Sequence, residues 1–133
     1  MSNPMKAYQR VRITTASPAE LVVMLYDGLV RFIGLAADAI DEERWTDAGR
    51  NFERAIEIVG HLRDSLDESV SSTLVSSLDR TYILWSRALI KAQLDRDAGA
   101  TRTVAAQVAE VSESWRVALS QLPANHPARV GAT

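Results

Sequence analysis

The sequence contains no cysteine. That absence removes disulfide bonds, thiolate nucleophiles, iron–sulfur ligation and most structural zinc sites together, and it fits a reducing compartment. Histidine is scarce as well, with only His61 and His126. A nucleophile, base and orienting residue cannot be assembled from that set, so the chain reads as a non-enzyme with no catalytic residue, cofactor or metal. A surplus of charge is also missing. Lys plus Arg total 15 and Asp plus Glu total 17, a net charge of -2, which offers no attraction to a phosphate backbone and argues against nucleic acid as a partner. No apolar run approaches the roughly 20 residues of a membrane span, and Met1-Ser2-Asn3-Pro4-Met5-Lys6 leads into no signal-peptide apolar block. A cytoplasmic protein without membrane insertion is expected.

What is present is an ordinary globular composition, 47% hydrophobic and 24% charged over 133 residues, enough for one domain with a real core. In Ser17-Pro18-Ala19-Glu20, Ser17 can cap a helix, Pro18 suits its first position and Glu20 can close a capping box. The first helix is expected to run to about Glu43 on a core stripe of Leu21, Met24, Leu25, Gly28, Phe32, Ala36 and Ile40, with Gly28 allowing a close helix approach. A second helix, from about Thr46 to Asp67, carries Ala48, Phe52, Ala55, Ile56, Val59, Leu62 and Leu66 on one face, with Thr46 as its cap. A Ser-rich break precedes a third helix from about Thr73 to Asp95, striped by Leu74, Leu78, Tyr82, Trp85, Leu89 and Ala92. The fourth, from about Thr101 to Leu122, turns Val104, Val108, Val111, Trp115, Ala118 and Leu122 inward. Pro123 and Pro127 then stop regular structure.

No segment alternates with period 2. The expected fold is all-α, an antiparallel up-and-down four-helix bundle over residues 17–122, with a short N-terminal capping segment (1–16) and a flexible C-terminal tail (123–133).

Side chains plotted at about 100° per residue divide the helices into two kinds. The second and fourth are one-sided, with Glu53, Glu57 and Asp64 on one back and Glu113, Arg116 and Ser120 on the other. The first adds Val22, Val23, Tyr26, Val30 and Ile33 to its stripe, which predicts burial on more than one side. The third adds a ridge of Ile83, Ile90 and Leu94, spaced i, i+7, i+11 opposite its core stripe, with Leu84 nearby. A terminal segment of the chain, a homodimer seam, or a groove for another protein's amphipathic segment would each cover such surplus. Met5, Tyr8 and Val11 recur every three residues and suit a short cover over the first helix near Tyr26 and Ile33.

Other constellations carry less. His61 follows Glu57 by four residues, one edge of a metal site without the repeated carboxylates such a bundle site needs. Lys6, Arg10 and Arg12 form a small basic cluster that is solvated or meets an acidic surface. Trp85 and Trp115 lie in line with core stripes, whereas Trp45 at the first turn could serve either core or surface.

Tyr8-Gln9, the run Thr15-Ala16-Ser17-Pro18-Ala19-Glu20-Leu21, Met24-Leu25-Tyr26-Asp27-Gly28 and Arg31-Phe32-Ile33, in this order and spacing, resemble the FliS family of flagellar export chaperones. The likeness continues through Ala36, Ala39-Ile40, Arg54-Ala55-Ile56-Glu57-Ile58 and Ser65-Leu66-Asp67 to Ser114-Trp115, covering roughly residues 8 to 116. The resemblance implies a cytosolic chaperone that binds the C-terminal segment of flagellin, prevents its premature polymerisation and delivers it to the type III export apparatus, with an export gate component as a further partner. It also implies an N-terminal segment that covers part of the binding surface when the chaperone is empty. Departures lie at Ser71-Ser72, where the family often has a Gly pair, and at Leu84 and Arg87-Ala88, where a second Tyr and a double Arg are common. The partner-binding residues expected on this reading are Tyr8, Val22, Tyr26, Ile33, Ile83, Leu84, Ile90 and Leu94, on a monomer or weak homodimer. The alternative is a self-associating structural or regulatory bundle that uses the same ridge for its dimer.

Overall fold

The computed structural model describes residues 18–66 and 72–123. Four helices account for nearly all of them: α1 (Pro18–Asp41), α2 (Trp45–Asp64), α3 (Ser72–Asp95) and α4 (Ala98–Ser120). The expected capping segment, Ser17 and the tail from residue 124 lie outside the described residues.

Around the ring α1 packs on α2 and α4, and α3 closes the other side against the same two helices. Cross-helix ion pairs fix the directions. On the α1–α4 seam Asp38 and Asp41 bind Arg102 while Asp27 binds Arg116, so the two helices run antiparallel. Arg63 near the end of α2 meets Asp79 near the start of α3, which makes that seam antiparallel too. All these partners are exposed, so the pairs set register more than they add stability.

Both short connections close by the same device. Glu43 and Arg96 adopt left-handed backbone, φ 55° and 51°. After α1 the Arg44 N–H reaches the Ala39 carbonyl at 2.8 Å, and the Glu43 N–H reaches that of Ile40 at 3.0 Å. After α3 the Asp97 N–H reaches Ala92 at 2.9 Å, and the Arg96 N–H reaches Gln93 at 3.2 Å. These are Schellman closures with a side chain where glycine is usual, at about 1 kcal/mol of backbone strain each. They also move the helix starts. α2 begins at Trp45 instead of using Thr46 as cap, and the Arg44 side chain at its N-cap position pairs with Glu42 and Asp47 instead of capping. α4 begins three residues before the expected Thr101, because Asp97 Oδ1 accepts the Ala100 N–H at 2.9 Å and forms a side-chain cap. Thr101 is then buried, its hydroxyl donating to the Asp97 carbonyl at 2.7 Å.

The core stripes of α2 and the second half of α3 follow the sequence. Ala48, Phe52, Ala55, Val59 and Leu62 are buried on one helix, and Tyr82, Trp85, Leu89 and Ala92 on the other. Leu74, expected in the stripe of α3, is half exposed near that helix's start, and Ala118 on α4 is exposed.

α1 differs in phase. Its centre line is Tyr26, Leu29, Ile33, Ala36, Ala37 and Ile40, while Met24 is 36% exposed and Leu25 and Phe32 are half-buried. Its apolar arc is wide because the bundle uses both flanks of it, with Met24 and Leu35 left partly exposed at the edges. One flank lies on α2, where a methyl on Gly28 would sit 3.4 Å from Ile58 Cδ1, an ordinary contact instead of an enforced gap. The other lies on α4 beside Leu119 and Arg116.

Across the centre, between the diagonal helices α1 and α3, the hydroxyls of Tyr26 and Tyr82 are 2.6 Å apart. Trp115 lies near the Tyr26 hydroxyl and favours its ionised form, against the larger effect of burial, and Trp85 packs edge-on against Tyr26 with ring centroids 6.2 Å apart. Burial pushes both phenol pKa values up, and the bond to Tyr26 raises that of Tyr82 further. No buried side-chain polar atom among the described residues lacks a partner.

Asp97→Ala should cost about 1 kcal/mol, read from urea midpoints, since it removes the side-chain cap on the Ala100 N–H at the start of α4. A folded-state pKa above the unfolded value means that the native chain retains protons the unfolded chain gives up. Stability should therefore be complete below about pH 10 and fall above it, where unfolded tyrosines ionise. Tyr82→Phe should make that fall shallower while costing about 1–2 kcal/mol at neutral pH. Equal slopes for the two proteins would show that the pair does not govern the alkaline limit.

Candidate protein-binding site

The seams of α1 are extensive and those of α3 sparser. The composition of the facing surfaces gives the reason. α1 and α2 meet the centre with small residues, including Ala36, Ala39, Ala48 and Ala55, and pack closely. α3 fills it with Tyr82, Trp85 and Leu89, whose bulk holds its axis away.

Between α2 and α3, at the end where both short turns lie, this leaves a groove of about 430 Å³. Phe52, Ala48 and Ile40 form its floor, Trp45 and Gly49 one wall, and Ile90, Gln93 and Leu94 the other. The rim is apolar and wet: Trp45 is 38% exposed, Ile90 46% and Leu94 79%. Arg96 closes the end of the groove, its guanidinium 4.0 Å from the centre of the Trp45 ring. The left-handed turn at Arg96 and the early start of α2 bring these two side chains together.

The residues singled out from the sequence divide into groups. Ile90 and Leu94 share the groove with Trp45, whose role the sequence left open. Ile83, two turns before Ile90, is half-buried. Leu84 is 56% exposed but sits round the helix in a polar depression with Ser77, Arg80 and Thr81, apart from the ridge. Val22 is half-buried against the core. Tyr26 and Ile33 have no exposed surface and belong to the central stripe, which corrects their assignment to an outer face of α1. An arc wider than half a turn has no unique middle, so periodicity alone placed the stripe about one residue's rotation away. Tyr8 and the proposed cover over α1 lie outside the described residues. Phe52 and Gly49 were not foreseen as groove residues, since a floor exists only once two helices are placed side by side.

Among the described residues no three carboxylate or imidazole side chains come together as a metal site. No helix there is long and apolar enough to cross a membrane. The chemistry on offer is the burial of an apolar side of another polypeptide.

The family model for the flagellar protein FliS matches residues 1–122. The chain belongs to the FliS family. It is 32% identical over 119 residues to the flagellar secretion chaperone FliS of Bacillus subtilis, covering 90% of this chain and 88% of the relative. It is 30% identical over 115 residues to the flagellar secretion chaperone FliSB of Pseudomonas aeruginosa, covering 84% and 91%. To the Escherichia coli flagellar secretion chaperone FliS it is 30% identical over 108 residues, covering 80% and 79%. The chain thus keeps an exposed apolar groove beside a well-filled core, so groove and core residues should differ in what they contribute to stability.

That separation is measurable. Leu94→Ser should change unfolding free energy by less than about 0.5 kcal/mol, whereas Leu89→Ala, one turn and a fraction away and fully buried, should cost about 2–5 kcal/mol. Similar losses for both would place Leu94 in the core.

Proposed function

We propose that this chain is a cytosolic export chaperone that binds the C-terminal segment of flagellin, prevents its premature polymerisation and delivers it to the type III export apparatus, where a gate component is a second partner. The observation that carries this reading is the exposed pair Ile90 and Leu94 facing Trp45 over Phe52, in a FliS-family chain whose relatives are named flagellar secretion chaperones. Flagellin's terminal segments are amphipathic and unfolded until assembly. A groove that buries the same apolar side blocks the helix contacts of the filament, by stoichiometric capping without catalysis or nucleotide.

On this reading the groove residues make the main contacts, and Leu84, Ile83 and Tyr8 extend the path. Mass in solution with and without a flagellin C-terminal peptide tests it: a one-to-one complex is expected from a monomeric chaperone. Ile90→Asp and Leu94→Asp should each weaken that complex by at least ~2 kcal/mol while the protein stays folded, because each would put a charge into a desolvated contact. A stable dimer that buries the ridge and takes up no peptide would establish the self-association reading instead.

A further inference from the structure

A second surface, on the opposite side of α2, is built differently. The Phe32 ring is half-buried on the α1–α2 seam, and two guanidiniums stand over it: that of Arg31 from its own helix and that of Arg54 from α2, each 5.6 Å from the ring centre. Arg50 lies one turn before Arg54 on the same side of α2, exposed. Among the described residues none of the three makes an ion pair, although Arg44, Arg63, Lys91, Arg102 and Arg116 all do. Glu53 and Glu57 are neighbours on α2, exposed, and not engaged by them. Leu35, 39% exposed, and half-buried Ile58 continue the seam as apolar surface on either side of the ring.

From this arrangement we infer that the Phe32 seam is a docking surface for an acidic segment of a partner protein, one that places carboxylates on Arg31 and Arg54 and an apolar side chain against Phe32 or Leu35. Charge selects this occupant. The chain's own N-terminal segment carries Lys6, Arg10 and Arg12 and no acidic residue before Glu20, so it is repelled. Two copies meeting on this seam about a two-fold axis would set the three arginines against their equivalents. Polyanions need more: nucleic acid binding draws on roughly 6–10 phosphate contacts and a lipid surface on about 4–8 basic residues, against three here in a chain of net charge -2. Guanidiniums held over an aromatic ring are pre-oriented for carboxylates, and the apolar flanks suit an amphipathic peptide. The inference does not depend on the flagellin reading, since the seam and the groove lie on different sides of α2.

The experiment titrates isotope-labelled full-length protein with a soluble 14-residue synthetic peptide in which Asp and Glu flank two Leu residues, following backbone amide shifts. Saturable shifts confined to residues 28–35 and 50–58 are expected. The paired substitution Arg31→Glu with Arg54→Glu should weaken binding at least tenfold, Leu94→Asp should leave it within twofold, and a peptide with Lys at every acidic position should not bind. If the charge reversals disturb the melting curve, Arg31→Gln with Arg54→Gln provides the same reading. No saturable shift up to millimolar peptide, shifts mapping to the Trp45 groove, or undiminished binding by the arginine variants would each overturn the inference. So would equal affinity for duplex DNA or phosphatidylglycerol vesicles, which would mark the seam as a general anion surface.

Discussion

The bond between Tyr26 and Tyr82 is the constraint on which the arrangement turns. Adjacent helices of a bundle meet along seams, but diagonal helices meet only through the side chains that fill the centre, and here they meet through two hydroxyls 2.6 Å apart. Satisfying those groups away from water requires α1 and α3 to keep one rotation and one height relative to each other, because an unpaired buried hydroxyl costs more than the bond returns. Trp85 and Trp115 complete the cluster, so three of the four helices are indexed to the same few atoms. With that point fixed, the bulk of the aromatic centre keeps α3 outward, and the groove beside α2 follows from the spacing.

This division between a fixed centre and a wet edge suits a binding module. Leu94 is 79% exposed on a helix whose other side is held by Leu89 and Trp85, so the surface can stay apolar without weakening the fold. The two sides of α2 also differ in kind. Towards α3 it offers an apolar trough, and towards the outside of α1 a ring bracketed by guanidiniums. The two surfaces share no residue, so occupants of different chemistry, were both to bind, would not compete for the same atoms.

Much of the fold could be read from the sequence because α2 and α4 are one-sided: charges such as Glu53, Glu57 and Glu113 leave only one way to face the core. The number of helices, their order and most of their ends followed. α1 could not be phased in that way. With Val22, Val23, Met24, Leu25 and Tyr26 consecutive, every rotation looks acceptable, and only contact with α2 and α4 decides which residue faces the centre. Tyr26 and Ile33 thus moved from the candidate surface to the core. Of the candidate site, Ile90 and Leu94 were legible because they stand opposite a well-defined stripe. Their partners Trp45, Phe52 and Gly49 come from another helix and carry no local mark of the association. The helix starts at Trp45 and Ala98 escaped for a related reason: a left-handed Glu43 or Arg96 is a conformation that sequence statistics reserve for glycine.

The stack of Arg96 on Trp45 gives the groove a direction. Both tight turns lie at one end of the bundle, and this contact joins them across the mouth between α2 and α3. Arg96 and Trp45 close the groove at that end, and its apolar lining runs from there to Phe52 and Ile90. A polypeptide lying in it would run up against a flat aromatic and cationic wall, so its last turn would have a fixed stopping place. α2 is 20 residues long, about 30 Å at 1.5 Å per residue, which sets an upper length for any helix seated alongside it. A segment seated in the groove would thus have one fixed end against this wall, with the remainder of its chain left to lie beyond it.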